Sequence, residues 1–574
     1  MCLFQMVNYR DDDVRRYTWR VVSDTIAIFL AVLFFSGNRD VLSKFFGGFG
    51  QGMLIFVHLM HCCIYLASML IVIGVTSGVW CAPEDDAAHL RQEHWVFFDG
   101  NMSNFGDRLK PEEARCVRAE QRAAMAAPAE HDAEHGHESG GANPWACMPA
   151  RNGKTAPAQE TEGKLVDRKP EAANGASKGV KASVYIEPET GREVPVKKMF
   201  VELDRRKRVN RCWATLLAHC AGFAAVAAGG SIQQAAPFNR NPWLALVPII
   251  LICAFLSLVF QVSQAMRARV RREAAKRKEE DLKTNAAVVR EGIRARMVDE
   301  FCSEAEVDIL ALAISFLLVQ VVRFGLTGQL PNIEGLEEPV KFTCSWLLAL
   351  KLFAVGAGFM ALSTITGKVL ARREKEAAKE GKDEEEGASR LVELVADVAM
   401  QACTMSCAWC LFFALRWAWM STGPGGDKGE GGVLGLSVHH IEARVLLAVG
   451  LSVLAFLVIV RLDKIADDDE SGGMLKFLTS IIAGISMLVG FTWERSFDGA
   501  VSAVAELSHS HPRTAKFALG LCVMYIVIEP WRKFILKKAM DLEEIHRENE
   551  LHVQKKREQA GSARSVVATP LLEG

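Results

Sequence analysis

The chain has 574 residues, 50% of them hydrophobic and 24% charged, so the apolar content must be gathered into blocks set apart from strongly polar ones. That is the pattern of a membrane protein and not of a soluble domain. Lysine and arginine (67) nearly cancel aspartate and glutamate (68), which leaves no chain-wide basic field for nucleic acid or acidic substrates.

Taken in chain order, Arg10, Arg15, Arg16 and Arg20 precede an apolar run with no small-residue cleavage site before Gly37-Asn38-Arg39, so the run reads as an uncleaved first anchor. Apolar stretches of about 20 residues, the length of a membrane span, then follow. They fall at 19–37, 52–78, 211–231, 242–266, 305–325, 342–368, 391–420, 443–462, 474–493 and 514–536. The expected fold is all-α, a polytopic membrane bundle of about ten transmembrane helices arranged as five hairpins, with cytoplasmic helical extensions and a long disordered loop. The segments divide as an N-terminus (1–18), a first hairpin (19–78), a loop (79–210), a second hairpin (211–266), a charged linker (267–304), a third hairpin (305–370), a second linker (371–390), fourth and fifth hairpins (391–462 and 463–536) and a charged tail (537–574).

Basic residues gather at the N-terminus, before span three (Lys197, Lys198, Arg205, Arg206), after span four (Arg267, Arg269, Arg271, Arg272), after span six (Lys368, Arg372, Arg373) and in the tail (Arg532, Lys533, Lys537, Lys538). The hairpin tips are poor in them, which predicts both termini in the cytoplasm. The sequon Asn101-Met102-Ser103 then stays unmodified. Residues 123–179 have the composition of a disordered segment, and 184–194 has β-branched flanks around a Gly-containing turn, suiting a small β-hairpin. Linkers 267–300 and 371–390 and the tail read as solvated helices, and Met540, Ile545 and Leu551 are too sparse for a convincing coiled-coil seam.

An acid and an arginine bracket three spans. Asp24 and Arg39 do so at span one, Asp308 and Arg323 at span five with the same separation, and Asp397 and Arg416 at span seven more widely. Duplication, as in many transporters, and simple anchoring explain this equally well.

Ionisable groups inside spans are the natural candidates for chemistry, because hydrocarbon tolerates them only with a partner or water. Lys351, placed about ten residues into span six, is expected to face protein or a wet cavity, with Asp308, Asp397 or Glu494 as counter-charge; a buried structural ion pair is nearly as good a reading. His61 and His219 are the histidine candidates for an ion or proton path. As metal ligands the weak candidates are His58, His61 and Cys62, which share one helix face, with His219 and Cys220; packing and interhelical hydrogen bonding explain them more simply. His131, His135 and His137 add a mildly metal-attracting run in the loop.

Most of the 15 cysteines lie in apolar runs and are expected as free thiols, and the stripe Cys403, Cys407 and Cys410 suits close helix approach. Glu494, Arg495 and Asp498 suit either a pore vestibule or an interfacial salt-bridge network beside an anchoring Trp493. Pro530 is expected to kink span ten. The segment Gly490-Phe491-Thr492-Trp493-Glu494-Arg495-Ser496-Phe497-Asp498, with Arg461-Leu462-Asp463-Lys464 before it and Glu529-Pro530-Trp531 after it, resembles a pattern in uncharacterised multi-pass membrane proteins of single-celled protists, a likeness that implies no particular activity.

No phosphate loop, metalloprotease motif, nucleophile elbow, voltage-sensor repeat or potassium filter is present in the sequence. A transporter or channel for an ion or small solute is the leading expectation, and Lys351→Leu is expected to abolish its flux. A scaffold that docks cytoplasmic partners through the loop and tail is the alternative, and a membrane enzyme comes third. No cofactor is evident. The expected partners are the lipid bilayer and cytoplasmic proteins, not nucleic acid, with homo-oligomerisation open.

Overall fold

The computed structural model describes residues 7–80, 184–186, 193–195, 197–280, 285–337, 345–380, 386–422, 433, 436–437, 440–467 and 473–546. Residues 123–179, the sequon at Asn101 and the run His131, His135 and His137 lie outside them. Among the described residues ten long helices follow one another: α1 (Asp12–Phe46), α2 (Gln51–Thr76), α3 (Lys197–Gln234), α4 (Val247–Glu280), α5 (Asn285–Thr327), α6 (Trp346–Glu380), α7 (Glu386–Met420), α8 (Ile441–Asp467), α9 (Gly473–Glu506) and α10 (Pro512–Pro530). At the position of the expected hairpin, β1 (Val184–Ile186) pairs antiparallel with β2 (Glu193–Pro195), Tyr185 opposite Val194.

Eight of the helices, α1 to α8, are long and apolar enough to cross a membrane. The expected ninth and tenth spans coincide with α9 and α10, which fall outside that set. The apolar stretch of α10 between Lys516 and Glu529 is only 12 residues long, too short to cross by itself. That of α9 runs into Glu494, Arg495 and Asp498.

Local signals set the ends. Asp11 caps α1, its carboxylate accepting from the backbone N–H groups of Asp13 (2.9 Å) and Val14 (3.3 Å). The reversal into α2 passes through Gly50 at φ +90°, a conformation costly for any residue with a Cβ. We call the end where α1 begins the base and the end where it finishes the tip.

The five hairpins of the sequence are not the packing units. Short tip connections tie helix ends together, but the apolar faces choose the neighbours. The odd-numbered helices α1, α3, α5, α7 and α9 close a ring, each touching the next and α9 returning to α1. Around it α2 lies chiefly on α3, α4 on α5, α6 on α7, α8 on α9 and α10 on α1. Burial separates the two layers: 61–83% of the apolar stretch is covered in α1, α3, α5 and α7, against 22–39% in α2, α4, α6 and α8. Since one helix intervenes between successive members, the inner five run parallel, base to tip.

Specific contacts hold outer helices to inner ones. Gly356 of α6 sits against Cys407 and Cys410 of α7, where an added Cβ would come 3.0 Å from that of Cys410, and Ser363 meets the Thr404 hydroxyl at 2.7 Å. Cys407 and Cys410 of the cysteine stripe therefore serve close approach. On α4, Arg267 bonds Glu306 of α5 at 2.6 Å and Asp299 at 3.2 Å, while Ser263 Oγ donates to Glu306 at 2.9 Å. This buried pair has the extra hydrogen bonds that a desolvated charge requires.

Beyond Pro530 the chain makes a π-helical turn (Trp531–Leu536) and continues as helix to residue 546. The start of the tail is not a solvated stalk, because Leu536, Ala539 and Leu542 are buried and Trp531 Nε1 donates to Ser23 of α1 at 3.1 Å.

Candidate functional site

Two polar cavities open at opposite ends of the inner ring. The base cavity, about 320 Å³, lies between α1 (Arg16, Arg20, Asp24), α3 (Lys207, Arg211), α5 (Glu300, Glu304) and the tail (Glu543, His546). Arg211 is hydrogen-bonded to Glu304, and Arg20 lies 3.8 Å from Asp24 and 3.7 Å from Glu543. Burial pushes the Glu543 carboxyl up, but Arg20 and Arg211 outweigh it and hold it below the usual carboxylate range. At the rim His546 meets Asp13 at 3.0 Å.

Above the base cavity comes a polar step. Asp24, His219 and Asp308 are electrostatic neighbours, and Gln401 Nε2 donates to Asp308 at 2.5 Å. His219 Nδ1 donates to the carbonyl of Thr215 at 2.7 Å, since a carbonyl can only accept.

Next, every inner helix contributes an aromatic ring. Phe35 of α1 stacks on Phe223 of α3 (6.3 Å), Phe316 of α5 meets Trp409 of α7 edge-on (4.9 Å), and Trp409 meets Phe491 of α9 (4.5 Å). Such edge-to-face pairs add to the area they bury. Phe35, Phe223, Phe316 and Phe491 form the floor of the tip cavity, so the two cavities are not continuous. Along α1 the gap from Asp24 to Val32, the deepest lining residues, is about 12 Å.

The tip cavity, about 200 Å³, holds a chain of charges from four segments. Arg39 bonds Glu334 (2.6 Å) and lies 3.3 Å from Asp40, Arg495 lies 3.7 Å from both Glu334 and Glu494, and Lys516 bridges Asp498 (2.8 Å) and Asp40 (3.4 Å). Three cations thus share four carboxylates. Burial raises the Glu334 carboxyl, yet Arg39 and Arg495 prevail and hold it low.

The turn carrying Glu334 is built for its place. The Asn332 side chain accepts from the Leu336 N–H at 2.7 Å, and Gly335 takes φ +75° with its α-carbon against Phe316, where a Cβ would come within 2.8 Å of the ring. Two residues on, Glu337 is bonded to the fully buried Arg323 and accepts from Trp417 Nε1 at 2.6 Å. Its carboxyl is pushed up by burial and drawn lower still by Arg323 and Arg416.

Of the residues singled out in the sequence, Asp308 and His219 meet at the polar step, Glu494 lines the tip cavity, and His61 stands beside the aromatic layer, its ring 5.7 Å from Phe35 and 4.4 Å from Tyr65. Asp397 is half-buried one turn below Gln401. Lys351 belongs to none of these groups. It is exposed on the outward face of α6, opposite Leu352 and Gly356, and only five residues from the helix start at Trp346. At 1.5 Å per residue that is about 7.5 Å, within reach of the polar tip for a snorkelling lysine. Neither Asp308 nor Glu494 is its partner: the first is bonded to Gln401 and the second faces Arg495.

The histidine and cysteine candidates for a metal are likewise not gathered. Cys62 donates to the carbonyl of Ala221 and Cys220 to that of Ala31, while His58 and His61 are buried with Nδ1 unbonded. Among the described residues the one set of three potential donors within 4.8 Å is Asp11, Asp13 and Asp463, where Asp11 already caps α1. Trp493, expected as an interfacial anchor, instead donates to Ser452 of α8 at 3.1 Å.

Sequence reasoning passed over Asp40, Glu334, Glu337, Glu304, Glu543 and Lys516. Glu334 and Glu337 were visible only as acids in a short connection, and what makes them part of the site is that the turn folds inward. No family model matches this chain, and no curated protein and no solved structure is similar to it.

Proposed function

We propose that the chain is an integral membrane protein, both termini cytoplasmic, that carries an ion or small solute along the axis of its inner ring. The observation behind this reading is the pair of charged cavities at opposite ends of the same three helices, α1, α3 and α5, separated by a layer of aromatic rings. In that reading the cavities are vestibules, the rings are the closed gate, and Asp24, His219, Asp308 and Gln401 offer the polar groups that a desolvating solute needs beyond it. At the tip four carboxylates share three cations, and this excess of one acid suits a cation.

Purified protein in liposomes, challenged with a panel of ions and pH gradients, tests the reading. Saturable flux of at least one ion is expected. Phe316→Ala with Phe491→Ala should raise the leak several-fold, Asp308→Asn should cut flux by tenfold or more, and Lys351→Leu, outside the path, should leave it unchanged. Folded protein that moves no ion above the level of empty vesicles would sink the proposal.

A further inference from the structure

A third, smaller cavity lies at the tip between α7, α8 and α9, and its walls are unlike those of the other two. It measures about 60 Å³ and is lined by Arg416, Arg444, Arg495, Thr492, Leu336, Phe412 and Leu447. Among the described residues three guanidinium groups and no carboxylate face it.

Arg416 is the decisive residue. Its side chain is only 8% exposed, its Nε is buried with no partner, and among the described residues it has no ion pair within 4.0 Å. Its charged surroundings are mostly of its own sign: Arg495, Arg323 and Arg444, with Glu337 as the opposing charge. Glu337, however, gives its Oε1 to Arg323 and Trp417, and its buried Oε2 makes no hydrogen bond to Arg416. Arg495 is shared with Glu334 and Glu494, and Arg444 reaches the carbonyl of Arg495 at 3.4 Å. A desolvated guanidinium with mostly like charges around it is unfavourable unless an anion compensates it.

We infer that this cavity is a binding site for one small inorganic anion of the size of chloride, bromide or nitrate, held chiefly by Arg416. A water occupies about 30 Å³ in the liquid, so the space suits a monatomic anion or a small planar oxyanion such as nitrate. The planar forks of three arginines offer the donors. Arg495 also lines the tip cavity, so the anion would bear on how firmly Arg495 holds Glu334 and Glu494. The inference concerns binding and does not rest on the transport reading.

Radioactive chloride binding to the full chain in lipid nanodiscs is the test. Saturable binding competed by bromide and nitrate but not by gluconate is expected. Arg416→Gln should weaken it tenfold or more, and Leu447→Trp, which fills the cavity while keeping every charge, should do the same. Wild-type protein without saturable binding, or a Leu447→Trp variant that binds as wild type does, would overturn the assignment. Should Arg416→Gln fail to fold, the Leu447→Trp result decides.

Discussion

Arg323 shows how much a single buried side chain commits the fold to. It is 0% exposed, lies with its guanidinium carbon 3.6 Å from the Phe413 ring centre, and has Glu337 as its ion-pair partner. Replacing it with Met strands that carboxylate beside Trp417 and should cost about 3–5 kcal/mol, whereas Arg323→Met combined with Glu337→Gln should lose clearly less. Thermal unfolding of wild type, both singles and the double gives the coupling; additive losses would show that the pair is not a unit.

A second consequence at this scale concerns pH. Glu334 has its carboxyl depressed in the folded state, so its contribution is complete above the ordinary carboxylate value of 4.5 and lost as pH falls through the lower folded value. Glu334→Gln should therefore lower stability near neutrality and flatten the acid limb of a stability profile measured between pH 6 and pH 3, the two profiles converging toward the acid end. These roles were half legible in sequence. The separations of Asp24 from Arg39 and of Asp308 from Arg323 were plain, and the structure sets both acids at the polar step and both arginines against the Glu334 turn. Lys351 misled because a lone charge in an apolar run marks depth only when the helix boundary is known.

For the elements, the positions of the long helices could be read from apolar stretches, while their neighbours could not. A helix apolar enough to cross a membrane is apolar on every face, so no periodicity says which face α6 turns to α7. Small residues carry that information, and only in the company of their partner. Gly484 of α9 is the clearest: an added Cβ would lie 2.8 Å from Thr404 Cγ2 and 3.2 Å from its carbonyl oxygen on α7, and the backbone there has no freedom to give way. Gly484→Ala should part the two helices and cost about 1–3 kcal/mol, read as a fall in Tm of the detergent-solubilised protein. Gly358 of α6, with open space around its α-carbon, should accept alanine without loss.

In the whole molecule, ten helices alternate between an inner and an outer layer, which places every second connection at the same end. That regularity was visible in the spacing of basic segments. The ring was not, because closure of α9 onto α1 joins residues some 460 positions apart, as Ser36 and Asp498 do. Labelling single cysteines at exposed positions on opposite ends, Ser510 for the tip and Arg271 for the base, should give opposite accessibility in sealed vesicles. Equal labelling of both would overturn the orientation of the bundle across a bilayer.

The parallel course of the inner helices has an electrical consequence. Each α-helix carries roughly half an elementary charge of negative sign at its C-terminus, and five such termini point toward one mouth of the ring. Outer helices, running the other way, stand farther from the axis and cancel only part of this field. Arg323 and Arg416 sit about one turn from the ends of α5 and α7, where a positive charge opposes that pole. Seen so, an arginine near the tip of successive inner helices needs no ancestral duplication, since five dipoles aligned around one axis call for cations there.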